Sequence, residues 1–223
     1  MEFDLATDSL RHVNQALHDC GVRQVTIHNP KGRHALAVGM TQQVQVTVEG
    51  HVGYYCAGMN QRADITVRGN AGPGVAENMV SGSVVIEGNA SQYAGASGHG
   101  GLLIIKGNTS SRCGISMKGI DIVVGGSVGH FSAFMAQSGR LVICGDAGHD
   151  LGDSIYEAQV FVRGDVDNLG SDCIEKEMRP EHAEALEGLL RQSGFEYPAS
   201  DFRRYGSARA LYNFKIDNAD AVR

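Results

Sequence analysis

Apolar residues recur in pairs along the middle of this chain, with a period of 19 residues. The two members of a pair stand two residues apart, and the second is always β-branched. Side chains two apart lie on one face of a β-strand, and β-branched residues favour the extended backbone. The pattern therefore predicts one short strand per repeat. The pairs are Val46/Val48, Ile65/Val67, Val84/Ile86, Leu103/Ile105, Ile122/Val124, Leu141/Ile143 and Val160/Val162.

A glycine follows each pair at the same distance, so glycines form a ladder through the chain. The next residue is a turn former in six of the seven repeats, with His51 as the exception. The residue seven positions after each glycine is always Ala, Gly or Ser. A strict internal period of this kind is the signature of a repeat architecture. The ladder consists of Gly50, Gly69, Gly88, Gly107, Gly126, Gly145 and Gly164.

One short strand cannot bury its own face, but stacked copies can bury a continuous inner column. The repeat lacks the six-residue sub-period of a left-handed β-helix, the nonapeptide calcium signature and the leucine-rich pattern. By elimination, we predict an all-β fold, a single-stranded right-handed parallel β-helix of about seven 19-residue coils. At a strand spacing of ~4.8 Å, such a rod is about 34 Å long.

Short helices are predicted at both ends of this rod. Residues 8–20 place Leu10, Val13 and Leu17 on one face, with Thr7 or Asp8 as the cap, and this helix is expected to cover the open first coil. Residues 22–40 read as an irregular first coil outside the 19-residue register. A second amphipathic helix starts at Pro180 and ends before Gly194, as the other cap or as a brace along the rod.

The chain therefore divides into a cap at residues 1–24, a β-helix domain at 25–175, and a helix with a docking arm at 176–223. The arm is aromatic and basic, and we expect it to dock on its own rod or on another chain. The far sides of the coils, such as Tyr54–Cys56 and Phe131–Phe134, are the other expected contact surfaces. The candidate docking residues of the arm are Phe202, Arg203, Arg204, Tyr205, Arg209, Tyr212 and Phe214.

Composition and charge exclude several classes of function. A net charge of −6 gives no electrostatic footprint for nucleic acid, and no apolar run approaches the ~18 residues of a membrane span. The first residues lack the basic and apolar regions of a signal peptide. The five cysteines are scattered and form no C-x-x-C pair, which suits reduced thiols. We therefore expect a cytoplasmic protein that binds neither nucleic acid nor membrane.

The polar residues show no catalytic constellation. The column Asn70, Asn89 and Asn108 is expected to consist of stacked asparagines that bond to each other along the rod. Aspartates gather in the last two coils, where solvated turns are favoured over a calcium site. The histidines stand at no ligand spacing, and the glycine-rich loops precede no helix that would bind phosphate. We thus expect no catalytic, cofactor or metal residue in this chain.

Three segments of the repeat resemble signatures of the GXGXG domain of glutamate synthase. They are Gly88–Gly95 with the Ser97–Gly101 loop, Gly126–Phe134, and Gly145–Gly152. The resemblance covers roughly residues 25–175 and implies a right-handed β-helix. A more distant resemblance is to the corresponding subunit of formylmethanofuran dehydrogenase. The stand-alone layout, with a helix at each end and the Tyr205–Arg209 tail, is similar to the β-helix subunit of N-methylglutamate synthase.

This resemblance implies a non-catalytic scaffold subunit that works with an amidotransferase-like subunit and an FMN-binding synthase subunit. The implied reaction converts glutamate and methylamine to N-methylglutamate and ammonia, with FMN and an iron–sulfur cluster in a partner. Residue 2 is Glu2 rather than the nucleophilic cysteine of an amidotransferase, so no family catalytic residue is carried over. An archaeal-type glutamate synthase subunit is the close alternative, and an independent β-helix protein that acts on polysaccharide is the alternative from another class.

Overall fold

The computed structural model describes residues 1–19 and 21–209. Their strands form one sheet, and its parallel part winds as a β-solenoid of about seven turns with two short helices, α1 (Leu10–Asp19) and α2 (Pro180–Gln192). None of the helices in these ranges is both long and apolar enough to cross a membrane. The strands are β1 (Glu2–Asp4), β2 (Gln24–His28), β3 (Gln45–Glu49), β4 (Asp64–Val67), β5 (Ser83–Ile86), β6 (Leu102–Ile105), β7 (Lys118–Val124), β8 (Ser138–Ile143), β9 (Gln159–Val162), β10 (Cys173–Lys176) and β11 (Arg203–Ser207).

The inner face of the sheet carries the apolar pairs that the period predicts. None of the fourteen paired residues is more than 1% exposed. Parallel pairing joins each residue to the one 19 positions later, so that Ile86 lies beside Ile105 and Ile105 beside Val124. Each strand therefore buries its side chains against identical positions of its neighbours, which confirms the parallel solenoid.

The ladder glycines permit a close approach between successive coils. The residue after each of the first six ladder glycines accepts a hydrogen bond of 2.8–2.9 Å, through a side-chain atom, from the backbone N–H of its counterpart in the next coil. The acceptors are His51, Asn70, Asn89, Asn108, Ser127 and Asp146. In each bond the backbone N–H donates to the side-chain atom, which corrects the expectation of asparagine side chains bonded to each other.

The same acceptor atoms explain why the neighbouring position is glycine. A Cβ on any of the five later ladder glycines would lie 2.0–2.6 Å from the side-chain oxygen of the coil before it. Each of these glycines also donates its N–H to the carbonyl of the preceding ladder glycine at 2.9–3.0 Å. Of the seven ladder glycines, only Gly50 has a positive φ, so space rather than backbone conformation requires this residue in most coils.

The amino-terminal end follows the predicted cap, with two differences. Helix α1 buries Val13 and Leu17 against the first coil, and Asn14 bonds to the backbone of Ala35 and Ala37. The hydroxyl of Ser9 accepts the His12 N–H, so the cap is Ser9 rather than Thr7 or Asp8.

The first coil is also more regular than the sequence indicated. Strand β2 pairs residue by residue with β3, with an offset of 21 residues instead of 19, and both Val25 and Ile27 are buried. Strand β1 then adds to β2 in parallel. The sheet crosses both segment boundaries drawn from the sequence, because β1 lies within residues 1–24 and β11 within 176–223.

Helix α2 is a brace along the rod and not a terminal cap. Leu186, Leu189 and Leu190 pack on the outer face of the sheet in a second apolar cluster that includes Phe161 and Phe202. The residue at the middle of each strand points outward, and its type explains this placement. It changes from threonine in the first strands to large apolar residues in the later ones. In order, it is Thr26, Thr47, Thr66, Val85, Ile104, Val123, Val142 and Phe161.

The segment predicted as a docking arm closes the far end of the sheet. Strand β11 inserts between β9 and β10 and is antiparallel to both. Phe202 and Tyr205 are only 4% and 2% exposed, so these two residues dock on their own rod. An uncovered β9 would present a row of unpaired backbone groups, and β11 satisfies them. Tyr212 and Phe214 lie outside the described residues.

Gly107→Ala should destabilise the chain by about 1–3 kcal/mol, because the new Cβ would lie 2.3 Å from the side-chain oxygen of Asn89. Gly188→Ala is the matched control, since no atom lies within 4 Å of its Cβ position on α2. That change should stabilise the protein by about 0.5–1 kcal/mol through helix propensity. Urea unfolding measures both, and the Asn89→Ala background should reduce the cost at Gly107. Equal effects of the two alanines would contradict the close-approach argument.

Deletion of residues 200–223 should unfold the chain or make it insoluble. The loss of Phe202 and Tyr205 alone removes about 3–6 kcal/mol of the free energy gained by burying apolar side chains. This is comparable to the whole free energy of unfolding of many domains. Deletion of residues 210–223 is the control, since it keeps β11. Circular dichroism and thermal unfolding compare the two truncated chains. A folded, soluble chain that ends at residue 199 would show that β11 is dispensable to the sheet.

Candidate interaction surface

In six of the seven coils, the residue five positions after the ladder glycine has a positive φ, and Leu169 in the last coil is the exception. Tyr55, Tyr93, Arg112 and Phe131 occupy this position in four coils, with φ between 57° and 63°. The N–H of each donates to a carbonyl of the next coil at 2.9–3.1 Å. Because the backbone is held on both sides by neighbouring coils, these side chains stand in a fixed vertical row on the surface.

Arg112 lies between two aromatic rings of this row. Its guanidinium carbon is 6.0 Å from the centre of the Tyr93 ring and 5.7 Å from that of Phe131. Such contacts stabilise a cation on a ring face while they leave its N–H donors free. Within the described ranges, no carboxylate lies within 4 Å of Arg112. The row therefore presents a positioned cation whose donors are available to a partner.

The second coil has Gly74 at the equivalent position, and the carboxylate of Glu77 takes the vacant space. A Cβ built on Gly74 would be 2.8 Å from Glu77 Oε2 and 3.7 Å from the Tyr55 ring. Burial raises the pKa of Glu77. Among residues 1–19 and 21–209, no basic group lies within 4 Å of this carboxylate. We call Tyr55, Glu77, Tyr93, Arg112 and Phe131 the turn-face column.

Apolar side chains flank the turn-face column on the same side of the rod. Phe134 contacts Phe131 edge to face, with ring centres 5.7 Å apart. Tyr54, Met59 and Met135 are 59%, 43% and 42% exposed. Tyrosine, phenylalanine, methionine and arginine are the residues enriched at protein interfaces. The composition and the fixed geometry together favour protein binding over small-molecule chemistry.

The sequence indicated part of this surface. Tyr54–Cys56 and Phe131–Phe134 were expected contact segments, and the structure places Tyr55 and Phe131 in one row. Glu77, Tyr93 and Arg112 were not singled out. The signal for Tyr93 and Arg112 is their shared position five residues after Gly88 and Gly107. Glu77 has no such signal, because its carboxylate reaches the row from a different position of the coil.

The basic residues of the predicted docking arm make contacts within their own chain. Arg203 donates to the Gly164 carbonyl at 2.8 Å, and Arg204 to the Glu177 carbonyl at 2.9 Å. Arg209 forms an ion pair with Asp172. These three side chains remain at the surface, and their docking role stays a prediction.

The groups that the sequence raised as candidate chemistry are dispersed in the structure. Asp146 accepts the Asp165 N–H as part of the glycine ladder, and Asp150 bonds to Asn168 through its N–H. Within the described part of the chain, no three His, Cys, Asp or Glu side chains are grouped to hold a metal ion. Burial raises the pKa of Cys56 and of Cys113 to about 12, which suppresses the nucleophilic thiolate.

Comparison with known proteins gives one strong similarity. The chain is 63% identical over 223 residues to "Protein GlxC" of Rhizobium meliloti (strain 1021), and the match covers 98% of each chain. The name of that relative states no activity. A scan against protein-family models gives no match.

The native protein should be inert to a thiol reagent at pH 8, once Cys20 is replaced by serine. Cys56 and Cys113 are fully buried with pKa values near 12, and burial also raises the pKa of Cys144 and Cys173 to about 11. The Cys20→Ser background is needed because Cys20 lies outside the described residues. All four thiols should react in denaturant. Rapid modification of any of the four in the folded protein would contradict its burial.

Proposed function

This chain belongs to the family of protein GlxC, and we propose that it is a non-catalytic scaffold subunit of a multi-subunit glutamate-metabolising enzyme. Two observations support the proposal. Its repeats resemble the GXGXG domain of glutamate synthase, and its fold is the parallel β-solenoid that this resemblance implies. The family membership covers the full chain, so the helices and β11 belong to the same subunit.

The enzyme we propose is N-methylglutamate synthase, which forms N-methylglutamate and ammonia from glutamate and methylamine. In this proposal, an amidotransferase-like subunit and an FMN-binding synthase subunit assemble on the rod in the cytoplasm. The flavin and an iron–sulfur cluster belong to the synthase subunit. A glutamate synthase of the archaeal type, with the same layout, is the second candidate. Its partners would add ammonia to 2-oxoglutarate with a reductant, instead of exchanging methylamine for ammonia on glutamate.

The turn-face column is the observation that carries the scaffold role. A binding surface needs side chains that are exposed, contiguous and held in place, and the stacked coils supply all three. Rigidity also matters for a complex with separate active sites, because a displacement on the order of 1 Å can lower a rate about 100-fold. A solenoid is suited to this role, since each coil is bonded to two neighbours.

Co-expression with an amidotransferase-like and an FMN-binding chain of N-methylglutamate synthase tests the proposal. A tagged copy of this chain should co-purify both, and the assembled complex should form N-methylglutamate from methylamine and glutamate. The chain alone should show no flavin absorbance and turn over neither glutamine nor methylamine. Formation of glutamate from 2-oxoglutarate, glutamine and a reductant, without N-methylglutamate from methylamine, would favour the archaeal-type enzyme. Failure to co-purify either chain, or activity of the chain alone, would contradict the scaffold role.

A further inference from the structure

The distance between the two charged residues of the turn-face column, Glu77 and Arg112, indicates which secondary structure a partner could place on it. Glu77 lies at the level of the second coil, beside Gly74, and Arg112 lies at the level of the fourth. With coils about 4.8 Å apart, the two charged groups are separated by roughly 9.6 Å along the rod. The Tyr93 ring stands between them, 6.0 Å from the guanidinium of Arg112.

An α-helix matches this spacing. Residues i and i+7 of a helix lie on one face and are about 10.5 Å apart. Residues i+3 and i+4 then lie over the middle of the column, where the Tyr93 ring offers an apolar surface. A β-strand covers the distance in about three residues, but residues i and i+3 of a strand point to opposite faces. A strand therefore cannot contact both charged groups with one face.

We propose that the turn-face column binds an amphipathic α-helix of a partner subunit, which lies along the rod and presents a cation to Glu77 and a carboxylate to Arg112. The inference rests on the proposed function for the identity of the partner. Between the two charges, the helix places apolar residues over Tyr93. Phe131 and Phe134 extend the apolar contact beyond Arg112.

The state of the two charged groups in the free chain supports this occupant. Arg112 is positioned by two rings and contacts no carboxylate among the described residues. Glu77 is half-buried, and desolvation disfavours its ionised form. A cation from the partner would compensate that cost, and a carboxylate would accept the free donors of Arg112.

A second copy of this chain is the competing occupant. On α2, Glu184 and Arg191 are exposed and seven residues apart, so they have the charge spacing that the column requires. Between them, however, α2 has the exposed Glu187 and the half-buried Gly188 rather than large apolar residues. This face would leave the ring of Tyr93 without an apolar contact, which favours a helix of another subunit.

Three variants test the proposal in the co-purification assay and in affinity measurements with the amidotransferase-like and FMN-binding chains. Arg112→Glu should weaken binding of one partner about 30-fold or more, as for an interface hot spot. Glu77→Lys should weaken the same partner. Arg62→Glu is the matched control, with the same change of charge at an exposed arginine outside the column, and it should leave binding unchanged.

Glu77→Gln separates a binding role from a structural one. Because desolvation already disfavours the ionised carboxylate, the neutral amide should leave the thermal stability of the free chain at pH 7 unchanged or raise it. The same substitution should weaken partner binding. A residue with a purely structural role would show the opposite result, lower stability with unchanged affinity.

A designed peptide tests the occupant independently of the natural partners. The probe is a fluorescein-labelled helix of about 18 residues, long enough to be helical in water, with Lys at i, Leu at i+3 and i+4, and Glu at i+7. Fluorescence anisotropy should show binding to the wild-type chain and to Arg62→Glu, but not to Arg112→Glu. A peptide with Gln in place of the Lys and the Glu should bind more weakly.

The outcomes separate this inference from the proposed function. If the partners bind the wild type and Arg112→Glu equally well, the inference fails while the scaffold role stands. If the peptide binds as described but neither partner does, the scaffold role fails and the column remains a helix-binding site. Binding of neither the partners nor the peptide overturns the inference. Self-association that Arg112→Glu and Arg191→Glu both abolish would identify a second copy as the occupant and overturn the partner assignment.

Discussion

The structure depends on a hydrogen bond that passes from one coil to the next beside a glycine. A side-chain acceptor after each of the first six ladder glycines takes the N–H of the equivalent residue one coil later, and the next ladder glycine leaves the space that this acceptor needs. The two features require each other. A larger residue at the glycine position would collide with the acceptor, and a residue without an acceptor would leave a backbone N–H unpaired. This bond therefore holds successive coils at a fixed spacing at the corner where each strand ends.

That fixed spacing permits backbone conformations that isolated turns rarely adopt. Each coil has non-glycine residues with positive φ, as at Tyr55, Ala57 and Met59. Each such residue costs on the order of 1 kcal/mol or more. Their N–H groups bond to carbonyls of adjacent coils, so stacking holds them in place. The turn-face column is a consequence, because the residue five positions after the ladder glycine has a positive φ and lies at the same place in six of the seven coils.

The outer face of the sheet differs between the two halves of the rod. The later strands present apolar side chains that α2 covers, so this half is committed to the chain's own packing. The earlier strands present threonines and need no cover. The end of the sheet is also occupied, because β11 pairs with β9 and buries Phe202 and Tyr205. The turn-face column keeps its aromatic side chains at the surface, and we propose that the partner subunits bind to this part of the rod.

The sequence by itself determined the period, the strands, the inner columns and the two helices. All of these depend on local spacing, since a 19-residue repeat places the same residue types at the same level of every coil. The expectation of a cap over the first coil followed from the apolar face of α1 in the same way. Tertiary structure alone decided where α2 packs and that β11 returns to pair with β9, because both contacts join residues far apart in the chain. It also decided that Glu77 fills the space beside Gly74, since this depends on the direction of one side chain and not on a repeated position.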